Sequence, residues 1–103
     1  MDQFENVTVV KKANIYFKGN VTSRTIIFND GEKKTLGIML PGEYEFGTAT
    51  IEYMTVVSGE LDVFLPGSEN WKIYKTGETF IVEKDKKFKV KASEPAGYVC
   101  IYK

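Results

Sequence analysis

Hydrophobic and polar residues alternate along most of this chain. The clearest case is residues 87–92, in which Phe88, Val90 and Ala92 alternate with three lysines. A period of two is that of a β-strand with one face buried and the other in water. The segment 60–63 alternates in the same way, and no segment shows the 3.6-residue period of an amphipathic helix. The pattern therefore predicts an all-β chain.

Turn sequences separate the alternating segments. They recur about every 8–12 residues, a spacing that is typical of β-sandwiches and barrels. They lie at Lys18-Gly19-Asn20, Asn29-Asp30-Gly31, Pro41-Gly42, Ser58-Gly59, Pro66-Gly67-Ser68, Thr76-Gly77, residues 83–87 and residues 94–97. The pair Asp30-Gly31 also predicts a two-residue hairpin turn of type I′.

The two ends of the chain differ from this regular pattern. Residues 98–102 are apolar on both faces, which predicts a strand buried between sheets or against a partner subunit. Residues 1–13 are expected to form an N-terminal arm or an edge strand. About eight or more short strands without a helix predict a double-sheet jelly roll. With 103 residues, the chain is expected to be a single domain.

The charge composition narrows the classes of partner and compartment. Lysine plus arginine and aspartate plus glutamate number 14 each. This balance argues against a nucleic-acid partner held by phosphate neutralisation. Cys100 is the only cysteine, so no intramolecular disulfide forms and a reducing compartment is favoured. Without a basic signal region or an apolar run of ~20 residues, we expect a cytoplasmic protein with no membrane partner.

Residues 46–59 resemble the metal-binding motif of the cupins with its ligands replaced. That motif has a His-x-His pair, then a glutamate, then a glycine seven residues after the glutamate. Glu52 and Gly59 keep this spacing, but Phe46 and Thr48 occupy the histidine positions. The resemblance implies a cupin-type double-stranded β-helix, which is a form of jelly-roll sandwich.

The chain contains no histidine at all. Imidazole is the usual protein ligand for zinc, copper and iron in such sites, so no metal and no other cofactor is expected. Phe88, counted from Gly77, occupies the position of the third cupin histidine. Aromatic and hydroxyl groups at all three positions suit an organic ligand better than an ion.

A longer ordered set of residues is similar to one cupin family, the pyrimidine/purine nucleoside phosphorylases of bacteria. The resemblance covers residues 14–103 and implies cleavage of ribonucleosides by inorganic phosphate to free base and ribose 1-phosphate. The residues that carry it are Asn14-x-Tyr16-Phe17, Gly19-x-Val21-x-Ser23, Gly37-x-Met39, Gly42-Glu43-Tyr44-x-Phe46, Thr48, Glu52-x-Met54-x-Val56-x-Ser58-Gly59, Leu65-Pro66, Trp71, Tyr74, Gly77 and Tyr98-x-Cys100-x-Tyr102.

Phosphorolysis needs a carboxylate or similar group near the sugar and positive charge near the phosphate. Glu52 is the candidate catalytic residue, since it could hold ribose hydroxyls or stabilise an oxocarbenium-like sugar. A surface hydrogen bond at the start of a strand is the structural alternative. Lys33 and Lys34 are the candidates for binding phosphate, although two solvated loop lysines would have the same sequence.

The remaining candidates are aromatic or hydroxyl side chains. Phe46, Tyr53 and Phe88 could stack on a base, and Thr48 could bind phosphate or ribose. Core packing is the simpler interpretation of Phe46, and Tyr53 could equally be a half-buried strand aromatic. Cys100 is expected to be a buried thiol rather than a nucleophile, because no cation lies near it in the sequence.

Two other functions fit the same residues. One is a non-catalytic cupin that binds a small molecule, such as a sensor of sugars or nucleotides. The other is a metal-independent sugar isomerase or epimerase, which is weakened by the absence of a histidine acid or base. For each function we expect a homodimer, because small jelly rolls expose sheet edges and the apolar C-terminal strand could be covered by a second copy.

Overall fold

The computed structural model describes residues 3–103, which form eleven β-strands and one 3₁₀ turn. The strands are β1 (Thr8–Val9), β2 (Asn14–Tyr16), β3 (Val21–Ile27), β4 (Lys33–Met39), β5 (Gly42–Gly47), β6 (Glu52–Ser58), β7 (Glu60–Phe64), β8 (Lys72–Lys75), β9 (Thr79–Val82), β10 (Lys87–Ala92) and β11 (Ala96–Tyr102). The all-β prediction is confirmed. The described residues contain no helix that is long and apolar enough to cross a membrane.

The strands form two antiparallel sheets. The larger has seven strands in the order β1-β3-β4-β11-β6-β9, with β2 also paired to β3. The smaller has four strands in the order β5-β10-β7-β8. Many neighbours in space are distant in sequence, as in a jelly roll, so the predicted sandwich is confirmed. Of the N-terminal arm, residues 8 and 9 form a short edge strand, while residues 1 and 2 lie outside the described part of the chain.

Strand β11 lies in the middle of the larger sheet. It pairs with β4 on one side and with β6 on the other, and its residues 96–100 are all buried. This position explains why the sequence of the strand is apolar on both faces. The alternative of burial against a partner subunit is not needed to account for its inner face.

The inner faces of the two sheets form one core. Its members are mostly aliphatic and aromatic side chains, and a buried side chain of this kind contributes roughly 1.5–3 kcal/mol. The aromatic members interlock, with Tyr74 and Phe80 centroids 5.0 Å apart and Phe80 and Phe88 centroids 6.2 Å apart. The alternation in β10 therefore has the predicted orientation, because Phe88, Val90 and Ala92 all belong to this core.

The hairpin between β3 and β4 differs from the predicted type I′ turn. A type I′ turn needs positive φ at both central residues. Here only Gly31 has positive φ, at 88°, and its N–H donates to the carbonyl of Phe28 at 2.9 Å. The side chain of Asp30 accepts a hydrogen bond from the N–H of Glu32 at 2.8 Å. Glycine thus follows the turn in the left-handed region rather than forming its centre, as in a longer hairpin loop.

A short 3₁₀ turn, Phe17–Gly19, follows β2 and covers one end of the sandwich. Phe17 and Lys18 have positive φ, 51° and 58°, which is uncommon for residues with side chains. The turn is held by Asn20, whose Nδ2 donates to the carbonyl of Phe17 at 3.0 Å. This conformation directs the Phe17 ring onto Tyr44 and Phe46.

Candidate functional site

A pocket of about 180 Å³ opens between the two sheets beside this turn. Its walls come from both sheets and from β2. The lining residues are Tyr16, Ser23, Met39, Phe46, Gly47, Glu52, Met54, Phe88, Tyr98, Cys100 and Tyr102. A larger groove, about 580 Å³, lies on the outer face of the seven-stranded sheet, but its lining has no titratable side chain. The pocket between the sheets is therefore the better candidate for chemistry.

Glu52 is the only charged group among these lining residues. It begins β6, where it pairs with Tyr102 of β11 and Val82 of β9. Its Oε1 accepts a long hydrogen bond from the Sγ of Cys100, at 3.6 Å. Burial raises the pKa of the Glu52 carboxyl above its usual value, and the bond from Cys100 opposes this shift.

Three other acidic groups of the pocket, Tyr98, Cys100 and Tyr102, are held neutral. Burial raises the pKa of the Cys100 thiol to about 12, and the nearby Glu52 carboxylate adds to this shift. The pKa of Tyr98 is also raised to about 12, chiefly by burial. Burial raises the pKa of Tyr102 in the same way. The pocket therefore offers hydrogen-bond donors without thiolate or phenolate at neutral pH, and Cys100 is not an activated nucleophile.

Hydrogen bonds to residues outside the pocket hold two of its polar side chains, Tyr102 and Ser23. The hydroxyls of Tyr102 and Thr35 are 3.0 Å apart across β11 and β4. On the other side, the Nδ2 of Asn14 in β2 donates to the Oγ of Ser23 in β3 at 3.2 Å. Such supports limit the rotamers of the pocket groups, which is what a preorganised site requires.

The opposite wall of the pocket is aromatic. Phe46 of β5 and Phe88 of β10 are paired across the small sheet, with their rings stacked at 5.6 Å and an interplanar angle of 29°. The Phe17 ring meets Phe46 edge-on at 5.4 Å. A polar wall with one carboxyl group thus faces an apolar aromatic wall. This arrangement suits a ligand with a hydroxyl-rich part and a flat part, such as a nucleoside.

Comparison with known proteins identifies the family. The family described as Pyrimidine/purine nucleoside phosphorylase matches residues 11–102. The chain belongs to this family. Proteins of that name from Sulfurovum sp. and Wolinella succinogenes are 59% and 57% identical over 102 residues, covering 99% of this chain and 99% and 97% of their own lengths. The resemblance inferred from the sequence is therefore confirmed.

Solved structures give the same fold. A protein of unknown function from Acinetobacter sp. ADP1 has a TM-score of 0.97 and 39% identity, with full coverage of both chains. An RmlC-like cupin from Shewanella frigidimarina has a TM-score of 0.72 and 18% identity, covering 99% of this chain and 93% of its own. The second similarity shows the cupin-type fold alone.

In this family member, three of the predicted site residues lie together. Phe46, Glu52 and Phe88 all line the pocket between the sheets. Phe46 and Phe88 occupy two of the three positions at which other cupins have histidine, and Glu52 occupies the position of the cupin glutamate. Phe46 and Phe88 also pack on the core, which agrees with the core-packing interpretation of Phe46, while its stacking on a base stays a prediction.

Thr48 does not line the pocket. Its hydroxyl donates to the carbonyl of Glu83 at 2.6 Å and accepts from the N–H of Lys86 at 3.1 Å. With only 7% of its surface exposed, the side chain has no free polar group for a ligand. Thr48 thus ties the loop after β5 to the loop before β10, which is a structural role.

Tyr53 and the two lysines also lie outside the pocket lining. Tyr53 projects to the outer face of the large sheet, because its neighbours Glu52 and Met54 project inward. The Nζ of Lys34 lies 4.7 Å from the ring centroid of Phe28, on the same outer face. Lys33 is exposed and lies on the inner side of β4 with Thr35, at the rim. Of the predicted cations, Lys33 alone faces the pocket end of the sheet.

Sequence reasoning missed most of the polar wall. Tyr98, Cys100 and Tyr102 share one face in the sequence, but nothing there shows that this face meets Glu52. That contact results from the pairing of β11 with β6, which are 39 to 50 residues apart in the chain according to their register. Ser23 and Asn14 were recognised only as members of the family pattern.

No cluster of three or more His, Cys, Asp or Glu side chains suited to a metal ion occurs within residues 3–103. The chain has no histidine, so only carboxylates and one thiol remain as strong ligands.

The raised pKa of Glu52 predicts how one substitution changes stability with pH. The pKa of the Glu52 carboxyl is higher in the folded protein than in the unfolded chain. Protonated Glu52 therefore contributes fully to the free energy of unfolding below the unfolded carboxyl pKa, about 4.3. This contribution is lost as the pH rises through the folded pKa. Glu52→Gln removes a partly desolvated charge. We expect its melting temperature at pH 8 to exceed that of wild type by a few degrees, and the difference to vanish near pH 4.

Calorimetric or fluorescence melts from pH 4 to pH 8 would measure this difference. Glu69→Gln, at an exposed loop position, is the matched control and should melt like wild type throughout. A constant difference across the pH range would show that the Glu52 carboxyl is not desolvated.

Proposed function

We propose that this protein cleaves purine and pyrimidine nucleosides with inorganic phosphate, releasing the free base and ribose 1-phosphate. Full-length relatives with 51–59% identity that carry the name pyrimidine/purine nucleoside phosphorylase support this activity. The observation that supports assigning the proposed chemistry to one site is the single carboxyl group, Glu52, in a pocket with an aromatic wall.

In the proposed reaction, the C1′–N bond breaks with its electron pair passing to the base, and a phosphate oxygen forms the new bond to C1′. Positive charge develops on the sugar during this exchange. A carboxylate beside the ribose stabilises that charge, and its effect is large where water is excluded. Glu52 is half-buried and held by Cys100, so it is suited to this role or to binding the ribose hydroxyls.

The raised pKa of Glu52 predicts how the activity should change with pH. The carboxylate is the form required, and burial disfavours it. Activity should therefore increase with pH over a range above that of an ordinary glutamate. The Cys100 thiol beside Glu52 and the Tyr98 phenol farther along the pocket stay protonated over that range, so they remain hydrogen-bond donors.

The described pocket lining lacks a positively charged group that could bind phosphate. None of the lining residues described for the pocket is a lysine or an arginine. We therefore assign phosphate to the rim, where Lys33 faces the pocket end of β4, in preference to Lys34, whose ammonium group lies over Phe28. The two lysines are adjacent in sequence but face opposite ways, which makes them a matched pair.

The proposal predicts that base release from uridine and inosine requires phosphate and produces ribose 1-phosphate. Lys33→Ala should raise the KM for phosphate by about tenfold, equivalent to ~1.4 kcal/mol, and Lys34→Ala should change it less than about twofold. Chromatography of base and sugar phosphate measures both. Treatment with EDTA should leave the rate unchanged, since we propose a metal-independent enzyme.

Three results would contradict parts of this prediction. Base release without phosphate would indicate hydrolysis or a different reaction class. Loss of activity in EDTA that a divalent metal restores would disprove metal independence. Equal effects of the two lysine substitutions would remove Lys33 from the phosphate site.

A non-catalytic cupin that senses sugars or nucleotides is the second candidate. The absence of a cation from the described pocket lining favours it, because a phosphate co-substrate is usually met by positive charge. It would bind a nucleoside with no base released at any phosphate concentration. An isomerase or epimerase would convert a sugar without phosphate. The same assay therefore separates all three functions.

We also propose that the protein is a cytoplasmic homodimer. The outer face of the seven-stranded sheet exposes large apolar side chains, and a groove of about 580 Å³ runs along it. Exposed apolar surfaces of this extent on a small domain commonly mark an interface. The exposed aliphatic residues of this face include Ile15, Leu36, Ile38, Val57 and Ile81. A second copy placed on this face would cover them.

Ile38→Glu should therefore convert the protein to a monomer, as measured by size-exclusion chromatography with light scattering. Ile73→Glu is the matched control, since Ile73 is equally exposed in a strand but lies in the four-stranded sheet. It should leave the dimer intact. A monomeric wild type, or dissociation by Ile73→Glu alone, would contradict this assignment of the interface.

A further inference from the structure

The ring of Tyr98 packs unusually closely against the backbone of a neighbouring strand. It lies on β11 directly opposite Gly37 of β4, and only 6% of its surface is exposed. A Cβ atom at position 37 would lie 2.7 Å from the Cζ and the hydroxyl oxygen of Tyr98, and would also clash with the carbonyl of Thr22. The phenol group therefore occupies space that only a glycine leaves open.

The surroundings of this hydroxyl orient its proton. The amide nitrogen of Asn14 can only donate, so the Oγ of Ser23 accepts from it at 3.2 Å. Ser23 retains its own proton. It lies opposite Gly37 in the register of β3 and β4, and the Tyr98 hydroxyl lies over Gly37, so Ser23 can donate to Tyr98 and complete a donor chain from Asn14. The Tyr98 proton remains for a group in the pocket.

Tyr98 and Glu52 occupy different ends of the pocket. Glu52 is opposite Tyr102 in the register of β6 and β11, whereas Tyr98 is opposite Val56. The Cα atoms of Tyr98 and Tyr102 are therefore roughly 13 Å apart along the strand. Tyr16, which also lines the pocket, is level with Val21, Met39 and Ala96 in the register of the large sheet, and the next residue, Phe17, packs on Phe46. The Tyr98 end is therefore the end next to the aromatic side chains.

On the basis of the proposed function, we propose that Tyr98 is a further catalytic residue, whose hydroxyl donates a hydrogen bond to the departing base. With the ribose beside Glu52, the base reaches the Tyr98 end. When the C1′–N bond breaks, its electron pair leaves negative charge on the base, and the Tyr98 O–H stabilises it. Tyr98 keeps its proton. The proton that the free base finally carries comes from hydrogen phosphate, which bonds to C1′.

This role accounts for tolerance of both base classes. A single rotatable hydroxyl can reach a purine ring nitrogen or a pyrimidine carbonyl oxygen, because each is one acceptor on the base. A paired donor and acceptor would select one class, since an unmatched polar group in a buried pocket is costly. The names of the relatives include both purine and pyrimidine nucleosides.

Tyr98→Phe tests the proposal, because it keeps the ring and removes only the hydroxyl. The kcat/KM is measured with inosine and with 7-methylinosine, whose cationic base leaves as a neutral molecule and needs no donor. We expect a loss of ~10²-fold or more on inosine, as for removal of one well-placed donor, and less than about fivefold on 7-methylinosine. Tyr102→Phe is the control on the same strand, and it should affect both substrates equally.

Equal losses on the two substrates in Tyr98→Phe would assign the hydroxyl to positioning or structure and overturn the proposal. Unchanged kcat/KM on inosine would overturn it as well. A wild type that cleaves neither substrate shows instead that the proposed phosphorylase function is wrong. The first two results are obtained only with an active wild type, so the two failures are distinguishable.

A second variant covers the case in which Tyr98→Phe does not fold. Ser23→Ala leaves the Tyr98 hydroxyl in place and removes the donor behind it. The phenol is then a weaker donor, and the ratio of rates on 7-methylinosine and inosine should increase about three- to tenfold. An unchanged ratio in a folded Ser23→Ala protein would contradict the donor chain and the role of Tyr98.

Discussion

The pairing of β11 on both of its edges determines the rest of this structure. Its hydrogen bonds to β4 and β6 place every second side chain of residues 98–102 on the inner face of the larger sheet, with Tyr98 and Cys100 buried and Tyr102 at the exposed rim. Those side chains form the polar wall of the pocket, and β6 brings Glu52 against them. Burial by this strand also keeps the thiol and phenols protonated. The chemistry of the site thus depends on one central strand.

The pocket differs from a metal-binding cupin site in which charged and polar side chains line it. In place of histidines it has two phenylalanines, so the cavity that would hold an ion is apolar and aromatic. A single carboxyl group remains, and a neutral thiol is its direct partner. In such surroundings a carboxylate is poorly solvated, and positive charge that develops nearby is strongly attracted to it. Such a pocket suits the cation-like sugar of the proposed reaction.

The sequence predicted those features that depend on local periodicity and on spacing. The alternation in β10 identified its buried face, and the seven-residue spacing between Glu52 and Gly59 located the carboxyl group in the pocket. Thr48 followed the same spacing, yet it is used to join two loops through Glu83 and Lys86. Alternation indicates which side chains share a face, but it does not indicate which of them satisfy backbone groups.

The polar wall could not be predicted, because it depends on pairing between distant segments. Asn14, Ser23 and Tyr98 come from three strands, and Gly37 of a fourth makes room for the ring. Likewise, Lys33 and Lys34 differ only in which side of β4 they occupy. That difference follows from the register with β11, which places Lys34 opposite Ile101.

The kcat/KM of Glu52→Gln with uridine and phosphate tests the central claim most directly. The substitution keeps the shape of the side chain and removes its charge, and Glu69→Gln controls for loss of a carboxylate elsewhere. If Glu52 stabilises the sugar, kcat/KM should fall by ~10²-fold or more in a protein that folds like wild type. Activity within a few-fold of wild type would mean that Glu52 is structural and that the reaction takes place elsewhere on the molecule.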